Sequence, residues 1–200
     1  IAGFASPEQK DALREDLGLD DPVPVQYARW IGDFVTGDLG GYYSITGERP
    51  VMDRVSDSLP VSLQLMVYAQ ILALIIAIPA GVITAYRAGT RTDRTANATA
   101  FGMLAVPNFA LALVLAYYVG VQAEWLPVSG YVAPEDDLLE HIRRMALPTI
   151  SLAVAQIAVY MRLLRSDMIA TLQEDFITMA KSKGLSPRRV LWRHALRPSS

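Results

Sequence analysis

Two stretches of this chain carry no charge over lengths that exceed the thickness of a bilayer. One runs from Ser58 to Tyr86, the other from Thr95 to Ala123. A third, Met145 to Met161, is shorter and is continued by Arg162 and Arg165, whose long stems can snorkel to a headgroup layer. About 20 apolar residues at ~1.5 Å rise each cross a hydrocarbon core of ~30 Å. The three runs predict three transmembrane helices, and hence an all-α membrane protein. The competing reading, buried core helices of a large soluble protein, is the poorer one. Composition agrees: 52% of the residues are hydrophobic and only 19% are charged, below the usual quarter.

The links between the runs set an orientation. "RAGTRTDRT" carries Arg87, Arg91 and Arg94 against Asp93. Glu124 to Arg144 carries five acids and two arginines. The tail from Thr171 carries Lys181, Lys183, Arg188, Arg189, Arg193 and Arg197 against Glu174 and Asp175. Basic links stay on the cytoplasmic side, so the first link and the tail are expected inside. Residues 1–58, with eleven acids and five bases, and the Glu124–Arg144 link are expected outside. No signal pattern opens the chain, which starts at Ile1. An external N-terminal region then calls for an upstream helix or a removed signal. The domain reading is an external segment, 1–58, followed by a membrane domain, 59–200, with 166–200 as its cytoplasmic end.

Within 1–58, "SPEQKDALREDLGL" predicts a short helix capped by Ser6, with Pro7 at its first position and Glu8 at the positive end of its dipole. "PVQYARWIGDFVTGDLG" predicts a second, amphipathic helix closed by glycines. Its Tyr27, Trp30, Ile31 and Phe34 follow helical spacing; packing on protein and a place in the membrane interface both suit them. Inside the spans, Pro79 and Pro107 predict kinks, and Gly81 and Gly102 predict close helix contact. Gln64, Gln70, Asn97, Asn108 and Gln156 are polar groups at or within membrane depth. They suit interhelical hydrogen bonds, or, for Gln64, Gln70, Asn108 and Gln156, a polar lining to a translocation path. No charged side chain lies centrally in a span, which argues against an ion-driven relay.

Catalytic chemistry finds little support. The chain has no cysteine, so thiolate and disulfide chemistry are excluded. No G-x-x-x-x-G-K-[ST] and no G-x-G-x-x-G occurs, so nucleotide binding by this chain is not expected. His141 and His194 fall on opposite sides of the predicted membrane and cannot share a metal. "NAT" at Asn97 matches a glycosylation acceptor, but at a predicted cytoplasmic helix start.

The most informative local pattern is "AKSKGLSPRRVLWRHALRP". A helix from about Ser166 is predicted to run to Gly184, which suits the left-handed residue that ends it, with Leu185 packing back on the turn. Ser186 suits the cap of the next helix and Pro187 its first position. Arg189, Arg193 and Arg197 recur every four residues as a basic stripe, opposite Val190, Leu191 and Leu196. A DNA-reading helix-turn-helix would need freedom that a nearby bilayer denies. A basic helix resting on anionic lipid fits the charge. A tight Gly-centred elbow favours a helix that docks into a partner protein.

"DFITMAKSKGLSPRRVLWRHALRP" resembles the EAA loop of bacterial ABC-importer permeases, in the dipeptide/oligopeptide/nickel branch. "YARWIGDFVTGDLGGYYSITGERPVMDRVSDSLPVSLQL" is similar to the external segment leading into that branch's second helix, and "AVPNFALALVLAYYV" and "WLPVSGY" resemble the following helix and its outer end. The likeness covers about residues 6 to 200. It implies a partial type I permease fold: the second to fourth of six transmembrane helices, with coupling helices on the cytoplasmic side. Where the family pattern has Glu-Ala-Ala, this chain has Thr178, Met179 and Ala180, so only Ala180 matches. The resemblance implies a non-enzymatic subunit of an importer for peptides or similar solutes in the bacterial inner membrane. Its partners would be a second permease, two ATPase subunits carrying ATP and Mg, and an external binding protein. Ala180, Gly184, Leu185, Ser186, Pro187, Arg189 and Arg193 would contact the ATPase. A standalone carrier or channel, or a membrane-tethered DNA-binding regulator, are the alternatives.

Overall fold

The computed structural model of the chain describes residues 14, 18–44 and 47–199. Of the helix expected over residues 6–19, the capped start at Ser6–Glu8 lies outside them, while Arg14 is helical and residues 18–19 form a turn. The chain divides into two compact units, Ile1–Leu63 and Gln64–Ser200.

In the first unit, α1 (Val23–Thr36) ends at Gly37 in the left-handed conformation, φ 86°, as a glycine C-cap allows. Tyr27, Trp30 and Phe34 stack along one face, with ring centroids 6.1 and 5.7 Å apart, and all three rings are exposed. A short antiparallel hairpin follows, β1 (Gly41–Ser44) with β2 (Gly47–Pro50), in the register Gly41↔Pro50 to Ser44↔Gly47. Among the described residues it is a small departure from an otherwise helical chain.

The long helix α2 (Val51–Tyr86) begins in the first unit, and its residues from Gln64 belong to the second. It runs through Pro60 and Pro79 without ending. Its inward face is made of small residues four apart: Ala69, Ala73, Ala77, Gly81 and Ala85 are all buried. Large apolar side chains point outward instead, among them Ile71, Ile75, Ile76 and Ile83. A water-soluble helix shows the reverse. Small residues inside and bulky apolar ones outside is the distribution of a membrane helix, where close backbone approach replaces hydrophobic burial.

The partner of that small face is α5 (Leu138–Thr171). Ala69 and Ala73 pack on Ala153 and Ile157. Ala77 packs on Ala158 and Met161. A Cβ placed on Gly81 would lie 3.0–3.1 Å from three atoms of the Leu164 side chain. Gly81→Leu is therefore expected to cost about 1–3 kcal/mol by overpacking, read as a lower unfolding midpoint of the detergent-purified full-length chain. Gly102→Leu serves as the control. Nothing lies within 4 Å of a Cβ built there, so the expected close contact at Gly102 is not present among the described residues.

The second charge-free run is not one straight helix. It forms α3 (Arg91–Ala105) and α4 (Asn108–Leu115), and α4 continues as a π-helical stretch, Ala116–Gln122. The two arms meet at 94°. Proline disfavours helical geometry in the residue before it. Val106 accordingly sits at φ −93°, ψ 119°, and Pro107 at φ −59°, ψ 138°. The expected kink is a complete break. By length and composition α2 and α5 each suffice to cross a membrane, and the bent pair makes a third span if counted as one.

The helix expected from Ser166 to Gly184 is also divided. α5 stops at Thr171, and α6 (Asp175–Ser182) starts after a turn at Leu172–Glu174. This reversal folds Ile177 and Ala180 back onto Val82 and Ala85 of α2 and Met168 of α5. An unbroken helix would carry them away from that cluster. The basic helix after the elbow is short: α7 (Pro187–Arg189), a π-helical stretch Val190–Ala195, and a 3₁₀ turn Arg197–Ser199.

Candidate functional site at the elbow

The elbow is built from backbone chemistry written locally in "AKSKGLSP". Gly184 has φ 76°. Its N–H donates to the Lys181 carbonyl at 2.9 Å, and the Leu185 N–H donates to the Ala180 carbonyl at 3.3 Å. This crossed pair is a Schellman ending, which satisfies two carbonyls left free by the last turn of α6. The hydrophobic contact that accompanies such an ending is present: Ala180 is buried and Leu185 packs against the same cluster. Pro187 opens α7, where its missing N–H leaves no hydrogen bond unmade. Ser186 occupies the cap position, but its hydroxyl makes no capping bond; its carbonyl accepts from the Val190 N–H at 3.0 Å.

The inner face of the elbow is apolar and fixed. Ile177, Ala180, Val190 and Ala195 are buried together with Val82, Ala85 and Met168. The outer face is cationic and open. Ser186, Arg188, Arg189, Trp192 and Arg193 line a groove of about 620 Å³. Trp192 is 42% exposed. Nothing lies within 4 Å of a Cβ added at Gly184, so the outside of the bend is free space. The structure thus brings Gly184, Ser186, Pro187, Arg189 and Arg193 to one exposed bend. Ala180 and Leu185 hold that bend down from beneath.

The four polar residues considered for a pathway lining have different immediate surroundings. Gln64 Oε1 accepts from the Tyr131 hydroxyl at 3.1 Å, and Gln70 Oε1 accepts from the Tyr160 hydroxyl at 3.1 Å. Asn108 is exposed at the first position of α4. Gln156 Oε1 is buried with no hydrogen-bond partner among the described residues, as is Thr149 Oγ1 seven residues earlier on α5. Asn97 bonds within its own helix: its amide donates to the backbone carbonyl and to the carboxylate of Asp93, both at 2.8 Å.

Two polar centres were missed by the sequence reading. Arg165 does not snorkel. It forms a two-pronged ion pair with Asp93, Nε to Oδ1 at 2.6 Å and Nη2 to Oδ2 at 2.7 Å. Asp93 is 3% exposed, and its Oδ2 also accepts the Gly89 N–H at 2.8 Å. One turn earlier on α5, the Arg162 guanidinium lies 4.3 Å from the centroid of the Phe101 ring. At the other end of α5, His141 is fully buried. Its Nδ1 donates to the Val132 carbonyl at 2.7 Å, since a carbonyl can only accept. Its Nε2 lies 3.1 Å from the Tyr68 hydroxyl. Together with the Arg144 Nη1–Ser129 carbonyl bond at 2.8 Å, it pins the link between α4 and α5. The signal for the ion pair was one acid in an otherwise basic link and one arginine just past an apolar run; nothing local joins them.

Residues 77–200, more than half of the chain, match the family described as binding-protein-dependent transport system inner membrane component. The chain is 36% identical over 199 residues to the probable peptide ABC transporter permease protein y4tP of Sinorhizobium fredii, covering 98% of this chain and 63% of that protein. It is 37% identical over 194 residues to the oligopeptide transport system permease protein AppB of Bacillus subtilis, covering 96% and 61% respectively. A putative peptide transport system permease protein of Brucella abortus is 35% identical over 198 residues. The chain spans about three fifths of the length of these curated relatives.

Proposed function

We infer function from a family: the chain belongs to the binding-protein-dependent transport system inner membrane components, and we propose that it is part of a permease subunit of an ATP-driven importer. The names of its relatives support peptides as the solute class. In this reading the membrane helices form half of a passage, and a second permease subunit supplies the other half. ATP and Mg belong to two separate ATPase subunits, and an external binding protein delivers the solute. The chain itself catalyses nothing. Residues 1–58 and the Glu124–Arg144 link lie outside, where the acidic composition of 1–58 suits seating of the binding protein. Residues 166–200 lie in the cytoplasm.

The observation that carries this reading is the elbow. Its inner face is welded to the ends of α2 and α5 through Val82, Ala85 and Met168, and its outer face offers an open arginine- and tryptophan-lined groove. A bend so built is a lever. A push on the groove is delivered to the membrane helices as a rigid-body movement instead of being absorbed by a loop. The arginines suit an acidic rim on the ATPase, and Trp192 suits a desolvated anchor within it. Pathway lining by Gln64, Gln70, Asn108 and Gln156 belongs to the same proposal. Gln156, whose buried oxygen lacks a donor among the described residues, is the residue among them that gains most from a polar solute.

The test is recovery of the full-length chain from its own membrane under mild detergent, with mass spectrometry of what accompanies it. ATPase subunits with a phosphate-binding loop and a second permease are the expected companions. A chain recovered alone, and conducting solute in vesicles without ATP, is a standalone carrier and overturns the proposal.

A further inference from the structure

The elbow is joined to more than α5. Met168 enters the elbow cluster. Three residues earlier on the same helix, Arg165 reaches across to Asp93 at the start of α3. The Asp93 carboxylate gathers three elements. It takes two bonds from Arg165 of α5, one from the Gly89 N–H in the α2–α3 turn, and one from Asn97 within α3. Further along α5, Arg162 covers Phe101 of α3, and Met161 and Ala158 pack on Ala100. From Asp93 to Phe101, α3 is therefore fastened to α5 by charge, ring and apolar contact in succession. Met103, closer to the Val106–Pro107 break, packs on the same cluster.

We propose that Asp93 is a positioning residue for coupling. Through Arg165 it binds the α2–α3 turn and α3 to the elbow-bearing end of α5, so that a displaced elbow carries α3 with it. A two-pronged arginine–carboxylate pair suits this task because its geometry fixes direction as well as distance. Burial keeps bulk water from screening and loosening it. The inference rests on the coupling role proposed above for the elbow. It adds a second output: movement reaches the bent membrane run directly.

The test uses the full-length chain in its assembled complex in lipid nanodiscs, with one labelled chain per complex. The 200 residues contain no cysteine, so spin labels are placed through Thr95→Cys on α3 and Lys181→Cys on α6, both exposed positions. Pulsed electron resonance is expected to read one narrow distance, the same without nucleotide and after trapping with ATP and vanadate. In Asp93→Asn/Arg165→Met, which strands neither charge, the distribution is expected to broaden about twofold as the tie is lost. A native distance that changes on ATP trapping, or a double variant as narrow as the native chain, overturns the inference. Absence of ATPase subunits from the complex overturns the coupling role instead, while the nucleotide-free distances still decide whether Asp93 ties α3 to the elbow.

Discussion

Asp93→Ala is expected to lower the unfolding midpoint of the detergent-purified full-length chain by on the order of 10 °C, the counterpart of about 3–5 kcal/mol for breaking a buried ion pair from one side. The size follows from what is left behind. Arg165 loses both of its bonds to Asp93, the Gly89 N–H loses its acceptor, and the Asn97 amide keeps only the backbone carbonyl of residue 93. Arg165 is only partly able to escape, since about a quarter of its side chain is exposed. The pair itself is not the source of a large net gain, because removing two charges from water offsets most of their attraction. Asp93→Asn should therefore fall between the native chain and Asp93→Ala: it keeps the shape and an acceptor for Gly89 but strands the guanidinium. The decisive comparison is the cycle with Arg165→Met. If Asp93→Ala costs the same whether residue 165 is arginine or methionine, the two side chains are not coupled and the account of this site is wrong. A smaller loss in the Arg165→Met background is the expected outcome.

How much of this was legible beforehand depends on how far apart in sequence the causes lie. The elbow was legible because its determinants are adjacent. Gly184 and Pro187 act on backbone within five residues, and the left-handed glycine, the packed Leu185 and the opening proline all stand where their chemistry puts them, whereas the expected capping bond of Ser186 is not made. The membrane runs were legible because absence of charge is a property of a continuous segment. The small-residue face of α2 was in plain view at Ala69, Ala73, Ala77, Gly81 and Ala85, yet only Gly81 was singled out. A search for small residues four apart finds it. Pro107 announced a disturbance, but a proline alone does not fix whether the helix bends or ends. The pre-proline bias favours the extended geometry at Val106 that turns the bend into a 94° break, but kinked helices carry the same residue pattern. The polar residues were the least legible. Gln64 is matched to Tyr131, 67 residues away, Gln70 to Tyr160, 90 away, and Asp93 to Arg165, 72 away. A glutamine in a membrane run looks the same whether it faces a passage or a tyrosine.

Gly184→Trp is expected to leave the chain folded and inserted while reducing ATP-driven uptake by about tenfold or more, equivalent to ~1.4 kcal/mol or more at a docked surface. Two effects have to be separated. The first is backbone strain: at φ 76° any L side chain carries a penalty of about 1–2 kcal/mol. Gly184→Ala isolates that penalty, since nothing lies within 4 Å of the added methyl group. The second is bulk. The space around the first atom of a side chain at the bend is open in this chain, so the indole enters from free space on the exposed side. Its expected harm comes from another subunit that fills that space during function. Alanine and tryptophan should therefore share a small loss of thermal stability. Tryptophan alone should lower the amount of ATPase that remains with the permease through purification, and leave residual ATP hydrolysis uncoupled from solute movement in vesicles. The basic groove supplies a second handle on the same contact. Arg189→Glu should weaken ATPase capture in a salt-dependent way, because it reverses the charge proposed to meet an acidic rim, whereas the block by tryptophan is steric and should persist at high salt. Equal losses for alanine and tryptophan, with ATPase capture unchanged, would mean that the bend is bare in the working complex and that the lever is engaged elsewhere.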